Sequence, residues 1–303
     1  MVEFVLGAAQ LGLAYGRANV TGKPSHDAAL ALVRKSYDCG VTAFDTARAY
    51  GDSEERLGEA LQGRATHIVT KLSPLRTLDA DAPPDAVRDA VDESVATSMT
   101  ALRQDRLETL LLHDARHLDG YGGAIWARLK EHQAASRILS LGISIGTPQE
   151  ARRALADPAV RHIQLAANLL DWRWHEAGIA HAIAERDDII VHIRSVFLQG
   201  ILVADACVWP RVEGVNATAL LQSMANMARE LKRESVADLA LAYIRAQDWA
   251  DGAVLGMETE DQLQTNLRLF AKPPLTVDEC AFVDHARPRV PAALLDPPEW
   301  RKT

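Results

Sequence analysis

Eight times along 303 residues, a short apolar run is followed by a longer stretch with helical spacing. "FVLGAA" leads into "SHDAALALVRKSYDCG", "TAFDTA" into "DSEERLGEALQG", and "HIVTKLS" into the segment from about Pro84 to Leu102. "LETLLLHD", "SLGISIG", "HIQLAANLL", "IIVHIRSVF" and "GAVLGM" continue the pattern. Strands separated by helices pair in parallel, because each helix carries the chain back to the same end of the sheet. Eight units suit a closed, single-domain (β/α)8 TIM barrel over residues 1–303 better than an open doubly wound sheet. The open sheet stays as the alternative, since strand number alone does not prove closure.

Local signals set several boundaries. Ser25 can cap the helix that Gly40 stops, and Thr147 can cap one that begins at Pro148. "HEAGIAHAIAER" reads as one helix after the sixth strand. "DAPPDA" and "AKPPL" read as loops, and nothing resembling a linker divides the chain.

Composition excludes several classes. A chain 48% hydrophobic and 24% charged can bury an ordinary core. A net charge of −8 argues against non-specific nucleic-acid binding. No apolar run reaches the ~18 residues a membrane helix needs. "MVEFVLGAAQLG" lacks the basic start and long apolar core of a signal peptide. Cys39, Cys207 and Cys280 are odd in number, far apart and match no metal spacing, so they read as reduced, buried thiols of a cytoplasmic protein without a metal.

A barrel of this kind carries its active site at the C-terminal strand ends. Asp45 and Tyr50 follow the second strand there, Lys71 ends the third and His113 the fourth. Each alone has an ordinary reading: a cap, a surface charge, a packing aromatic, a core histidine. Together they describe proton transfer. A phenol is a poor acid at neutral pH. An ammonium beside it favours phenolate, and a carboxylate keeps that ammonium charged. A histidine at the same mouth can orient a substrate oxygen. No activated serine or cysteine nucleophile is evident. A proton donor at a carbonyl oxygen pairs naturally with a hydride donor at its carbon, such as a nicotinamide. Ser53 and Glu54 read as capping groups in the first turn of the next helix.

The block "FDTARAYGDSEERLGEAL" and the ordered set Asp45, Tyr50, Lys71, His113 resemble the aldo-keto reductase family, and the likeness runs from "LGAAQLGLAYG" to "DQLQTNLRLF". The resemblance implies a soluble oxidoreductase that uses NADP(H) or NAD(H) on an aldehyde, ketone or sugar hemiacetal. Tyr50 would be its general acid and base, Lys71 and Asp45 the tuning pair, and His113 the orienter. Ser144 and Gln164 match carboxamide-binding positions, while Ile145 stands where the family carries asparagine. Arg194 stands where an aromatic usually stacks on the nicotinamide. As a planar cation it can stack too, or point at substrate. The backbone from Ser195 to Gly200 would face the pyrophosphate, with glycine allowing close approach. Gln262 and Asn266 match the adenine pair. Glu258 replaces a commonly basic 2′-phosphate position and would accept from a free ribose hydroxyl, or simply favour a helix N-terminus; Arg268 keeps NADPH open.

Substrate would contact Arg48, Trp172 and Trp174, the tryptophans stacking on a sugar or covering the rim. The first strand starts within a few residues of Met1, so the family's N-terminal hairpin is missing, and the C-terminal segment is a candidate to close the barrel bottom instead. A cofactor-sensing regulatory protein of the same fold, like some potassium-channel-associated members of the family, is the alternative function. A two-carboxylate sugar hydrolase is a third, with only Asp45 and Asp114 as candidates.

Overall fold

A computed structural model describes residues 2–301. The chain runs β1 (Glu3–Gly7), α1 (Ala9–Gly12), α2 (His26–Asp38), β2 (Ala43–Asp45), α3 (Ser53–Ala60), β3 (His67–Lys71) and α4 (Pro84–Ala101). It continues through β4 (Leu107–Leu112), α5 (Ala124–Ala134), β5 (Ile138–Ile145), α6 (Pro148–Ala156), β6 (His162–Ala166), α7 (Arg173–Glu176) and α8 (Ile179–Ala184). β7 (Ile190–Arg194), α9 (Ala217–Glu230), α10 (Val236–Arg245), β8 (Gly252–Gly256), α11 (Glu260–Phe270) and α12 (Val277–Ala286) complete it. The eight strands form one closed parallel barrel in sequence order, with β1 paired to both β2 and β8. Closure settles the choice against the open sheet.

Strand geometry explains how the site is assembled. Side chains alternate faces with period two. His67, Val69 and Lys71 therefore share one face of β3, and His162, Gln164 and Ala166 one face of β6. That face is the barrel interior: Gln164 reaches across to Asp45 on β2. Register aligns Asp45 with Gly7 and Val69, Lys71 with Leu111, and Ala166 with Arg194, so these residues gather at one rim. Between sheet and helices lies the main apolar core, in which Phe44, Leu57 and Leu110 are essentially fully buried. Each such side chain contributes about 1.5–3 kcal/mol on burial.

Several caps match their sequence signals. Ser25 accepts from Ala28 N, Gly40 follows α2 at φ +93°, and Thr147 and Glu150 form a capping box behind Pro148. Others differ. Gly178 takes the left-handed conformation at φ +69° and breaks the expected helix after β6 into α7 and α8. α12 follows "AKPPL" behind a Thr276–Glu279 capping box, a start signal that the residue types themselves carry. Cys39 and Cys207 are exposed and Cys280 half-buried, all free, which corrects the expectation of buried thiols. Cys39 follows the last residue of α2 at the surface, where Gln264 Nε2 of α11 donates to its Sγ at 3.8 Å.

The barrel floor is also corrected. Among the described residues no hairpin precedes β1, whose first residue is Glu3. The segment after α12 does not close the bottom. It lies across the loop after β6, at the opposite end: Arg287 Nη1 donates to Asp171 O (3.3 Å), Trp172 Nε1 to Val290 O (3.0 Å) and Arg173 Nη2 to Leu295 O (3.5 Å). The floor is filled by the barrel's own side chains. His162 and His192 are fully buried, their rings edge-to-face at 4.3 Å, with His67 next to His192 and Glu3 3.4 Å from it.

Candidate active site

At the opposite rim, Asp45, Tyr50, His113, Ser144 and Arg194 open into one cleft of about 810 Å³. It runs past Ser195, Phe197 and Gly200 to Glu258, Asp261, Gln262 and Asn266 at the start of α11. Sequence positions spread from β1 to α11 thus line a single groove.

Behind its catalytic end sits a buried ion pair. Lys71 Nζ donates to both oxygens of Asp45 at 2.8 Å and to Thr46 O at 2.9 Å. Asp45 Oδ2 also accepts from Gln164 Nε2 at 2.6 Å. Burial pulls the Lys71 ammonium down, and the Asp45 charge opposes that pull. Tyr50 stands in front of this pair, its ring centroid 5.2 Å from Lys71 Nζ and edge-to-face with His113 at 5.6 Å. Its hydroxyl has no protein hydrogen-bond partner among the described residues. Burial first, and the Asp45 carboxylate second, hold the phenol above its ordinary value; Arg194 opposes them. That reverses the expectation of a phenol made acidic by Lys71. The reason is geometric: the ammonium is matched by Asp45 and makes no hydrogen bond to the phenol.

His113 is pushed down to about 3, by burial first and then by Lys71 and Arg194. It is a neutral imidazole at physiological pH, and its buried Nδ1 has no partner. Such a ring can hydrogen-bond a ligand oxygen without carrying charge.

The tyrosine loop is braced from below. Glu54 is fully buried, accepts from Thr70 Oγ1 at 2.6 Å and pairs with the Arg48 guanidinium; Arg48 Nη2 also meets Glu55 Oε1 at 3.2 Å. Ser53 Oγ bonds Ala8 O and Thr46 Oγ1, both at 2.8 Å. Ser53 and Glu54 are therefore structural, as expected, but as cross-links rather than caps. Arg48 faces this brace and does not line the cleft, which corrects its reading as a substrate contact.

Trp172 and Trp174 are also outside the cleft. Trp172 is covered by Val290 and by the Arg289 guanidinium, 3.6 Å over its ring. Trp174 is buried, donating to Ala166 O at 2.8 Å. The rim-covering reading is the one the geometry follows.

Residues for a dinucleotide can be tested against what the groove offers. Gln164 does not itself line the cleft, but its Oε1 is buried without a partner, beside Ser144 in the β5–β6 register, which does line it. An amide N–H group would satisfy that oxygen. Gln262 and Asn266 line the far end beside Glu258 and Asp261. Gln262 Oε1 accepts from Glu258 N at 2.7 Å, so part of its capacity is used locally. Arg268 is turned away, paired with Glu234 at 2.6 and 2.8 Å. Gly200 lies at φ +86° with no room for a side chain, but what a Cβ would strike is Ala18 Cβ at 2.6 Å. Its close approach is to the loop after α1, joined to the β7 loop by Ala18 N to Gln199 O (3.2 Å). A nicotinamide dinucleotide fits this donor set.

Gln10, Tyr15 and Asn19 line the same cleft, although sequence reasoning does not single them out. Burial first, and then the Tyr50 phenol, raise the Tyr15 phenol above its ordinary value. Its signal lies in "LGAAQLGLAYG", a stretch whose polar residues follow the first strand as Tyr50 follows the second.

Comparison with known proteins agrees with this geometry. The aldo/keto reductase family model matches residues 3–287, and the chain belongs to that family. Its members are oxidoreductases that use NAD(P)H on small carbonyl or sugar substrates. A D-threo-aldose 1-dehydrogenase from a Pseudomonas species is 30% identical over 189 residues, spanning 53% of this chain and 57% of that relative. An aldo-keto reductase from Bacillus halodurans in its holo form aligns with TM-score 0.76 at 22% identity, over 95% of this chain and 93% of its own. A glycerol dehydrogenase from Gluconobacter oxydans aligns with TM-score 0.70 at 20% identity, over 97% and 94%. At these identities the structures speak for the fold. Among the described residues no helix is long and apolar enough to cross a membrane, and no cluster is arranged to hold a metal ion.

Proposed function

We propose that this protein transfers a hydride between NAD(H) or NADP(H) and an aldehyde, ketone or sugar hemiacetal, with Tyr50 as general acid and base. The observation that carries the reading is the Tyr50 hydroxyl, unpartnered at the cleft beside a neutral His113. A phenol so placed has no structural bond to lose and is free to bond a ligand oxygen.

When bound, the nicotinamide supplies or accepts the hydride at the substrate carbon. Gln164 and Ser144 would hold its carboxamide, while Gln262, Asn266 and Glu258 would hold the adenosine end. Tyr50 gives its proton to the substrate oxygen in reduction and takes one in oxidation. His113, neutral, hydrogen-bonds the same oxygen and fixes which face is presented. The raised phenol keeps Tyr50 protonated at neutral pH, the form reduction requires. Glu258 and Asp261, with Arg268 engaged elsewhere, favour a ribose hydroxyl over a 2′-phosphate. The D-threo-aldose 1-dehydrogenase relative supports sugar hemiacetals as the first substrates to try.

The test is fluorescence titration with NADH and NADPH, followed by steady-state assays on a panel of aldoses and aldehydes. Cofactor binding with turnover supports the enzyme. Tight binding without turnover on any substrate favours the cofactor-sensing alternative, and no binding removes both.

A further inference from the structure

Arg194 ends β7 on the strand's interior face, two residues beyond the buried His192, and lines the cleft wall. The strands stand in the order β5, β6, β7, with Leu165 beside Ile145 and Ala166 beside Arg194. Arg194 Nη2 nevertheless donates to Ile145 O at 3.3 Å, so the side chain reaches from β7 past the end of β6 to β5. The rim residue of β6 is Ala166, whose methyl leaves room for that crossing. Gln164 lies two residues below Ala166 on the same face, and Ser144 stands beside Gln164 on β5. Three polar side chains from adjacent strands thus bracket one stretch of the rim.

Their unused hydrogen-bonding capacity differs in kind. A guanidinium has five N–H donors and no acceptor. Arg194 engages Ile145 O and, at 3.5 Å, Ser195 Oγ; both contacts are long, and no carboxylate pairs with it among the described residues. Gln164 gives Nε2 to Asp45 and keeps Oε1, an acceptor, without a partner. Ser144 carries a hydroxyl that can give or accept, with no protein hydrogen bond among the described residues. The Ile145 side chain is apolar and buried and offers neither. The β7 side of this stretch therefore donates, and the β6 side accepts.

We propose that Arg194 holds the carbonyl oxygen of the nicotinamide carboxamide by hydrogen bonding at its edge, rather than stacking on the ring. The inference rests on this cleft being the nicotinamide dinucleotide site. A primary carboxamide presents an acceptor oxygen and a nitrogen with two N–H donors. A guanidinium can bond only the oxygen, and Gln164 Oε1 only the nitrogen. Ser144 can complete either end. The pattern selects one way round for the amide, its oxygen toward β7 and its nitrogen toward β6. The bond to Ile145 O holds the guanidinium at the strand ends, next to the Ser144 position, instead of out over the open cleft where a stacking cation would lie. Because the donor is charged, its bond to the carbonyl is stronger than one between neutral groups.

The test is equilibrium binding without turnover, measured by calorimetry on wild type and Arg194→Met. The ligands are NAD+, its 3-acetylpyridine analogue, its 3-aminopyridine analogue and ADP-ribose. The acetyl analogue keeps the carbonyl and lacks the N–H donors. The amino analogue keeps the ring and lacks the carbonyl. ADP-ribose lacks the ring altogether. Arg194→Met is expected to weaken NAD+ and the acetyl analogue by roughly tenfold or more, and to leave the other two within about twofold of wild type. ADP-ribose bound at wild-type strength shows that the site is folded. Arg194→Leu carries the same expectation should Arg194→Met not fold. Equal weakening of the amino analogue would mean that Arg194 stacks on the ring, and overturns the proposal. A loss that extends to ADP-ribose, or no loss for any ligand, overturns it too. Wild-type protein that binds none of the ligands removes the underlying reading instead.

Discussion

The α-carbon of Gly12 packs directly against the backbone carbonyl of Tyr50: a Cβ built on Gly12 would overlap Tyr50 O and lie 2.8 Å from Ser53 N. Both atoms are backbone and cannot swing aside. Gly12→Ala must push the Tyr50–Ser53 turn outward or distort the loop after β1. Overpacking of this kind costs about 1–3 kcal/mol. The expected outcome is a lower urea midpoint together with at least a tenfold lower kcat. An unchanged midpoint with wild-type kcat would mean the two loops separate without moving the phenol.

Tyr50→Phe removes the proton donor and leaves the ring's packing against His113. Loss of a general acid costs about 10²–10⁴-fold in rate. Cofactor dissociation constants should stay within a fewfold of wild type, because the hydroxyl lies at the substrate end of the groove. A variant keeping more than a tenth of wild-type kcat when chemistry is limiting would assign the proton to another group.

Arg48 separates a stabilising role from a substrate contact. Its partner Glu54 is fully buried, and burial raises that carboxyl while Thr70 and Arg48 hold it down. Removing Arg48 strands a buried carboxylate, at a cost of about 3–5 kcal/mol. Arg48→Ala should therefore unfold at markedly lower denaturant while KM for a good substrate changes little. A large rise in KM with unchanged stability would return Arg48 to the substrate.

The histidine floor makes stability fall on acidification. Free histidine titrates near 6.5. In the fold, burial lowers both His67 and His162; His192 adds to this at each, and Lys71 at His162, while Glu3 and Glu108 oppose it at His67. The unfolded chain takes up protons below pH 6.5 that the folded chain refuses. The stability these residues contribute is present above 6.5 and lost as pH drops toward the folded values, by up to about 1.4 kcal/mol per pH unit for each site. Denaturant midpoints measured from pH 8 to 5 should show this decline, with a shallower slope for His162→Leu. A slope unaffected by that substitution would place the acid sensitivity elsewhere.

At the far end of the cleft, charge favours a cofactor without a 2′-phosphate. Glu258 and Asp261 line it, and Arg268 is held by Glu234. NAD(H) should be used at least comparably with NADP(H). Glu258→Arg should move the kcat/KM ratio toward NADP(H) by roughly tenfold, if about 1.4 kcal/mol of interaction is gained. A wild-type NADPH preference above about a hundredfold, untouched by the substitution, would locate the discriminating contact at another residue.

The barrel is legible in the sequence because its signals are local. Apolar runs of strand length recur at regular spacing, and Ser25, Gly40 and Thr147 mark helix ends by residue type alone. The rim follows from counting strand ends, which brings Asp45, Lys71 and His113 together from spacing alone. What the sequence hides depends on partners distant in the chain. Arg48 reads as a substrate contact until Glu54 turns out to be buried beneath it, and the choice between sugar platform and rim cover for Trp172 is made only by Val290 and Arg289 closing over it. The charge balance around Tyr50 is hidden for the same reason. That Lys71 uses every donor on Asp45 and Thr46 is a fact of three-dimensional geometry, not of spacing.

The segment that crosses the β6 loop has a consequence for anyone handling the protein. β1 enters the barrel at the histidine floor, while residues 287–300 finish across the loops on the face where the cleft opens. A fluorophore, fusion partner or surface tether joined ahead of Val2 thus sits at the far end of the barrel from the cleft. One joined beyond Trp300 sits on the same face as the cleft mouth. Immobilised through its first residues, the protein presents its cleft to the solution; held by its last, it turns that face toward the support.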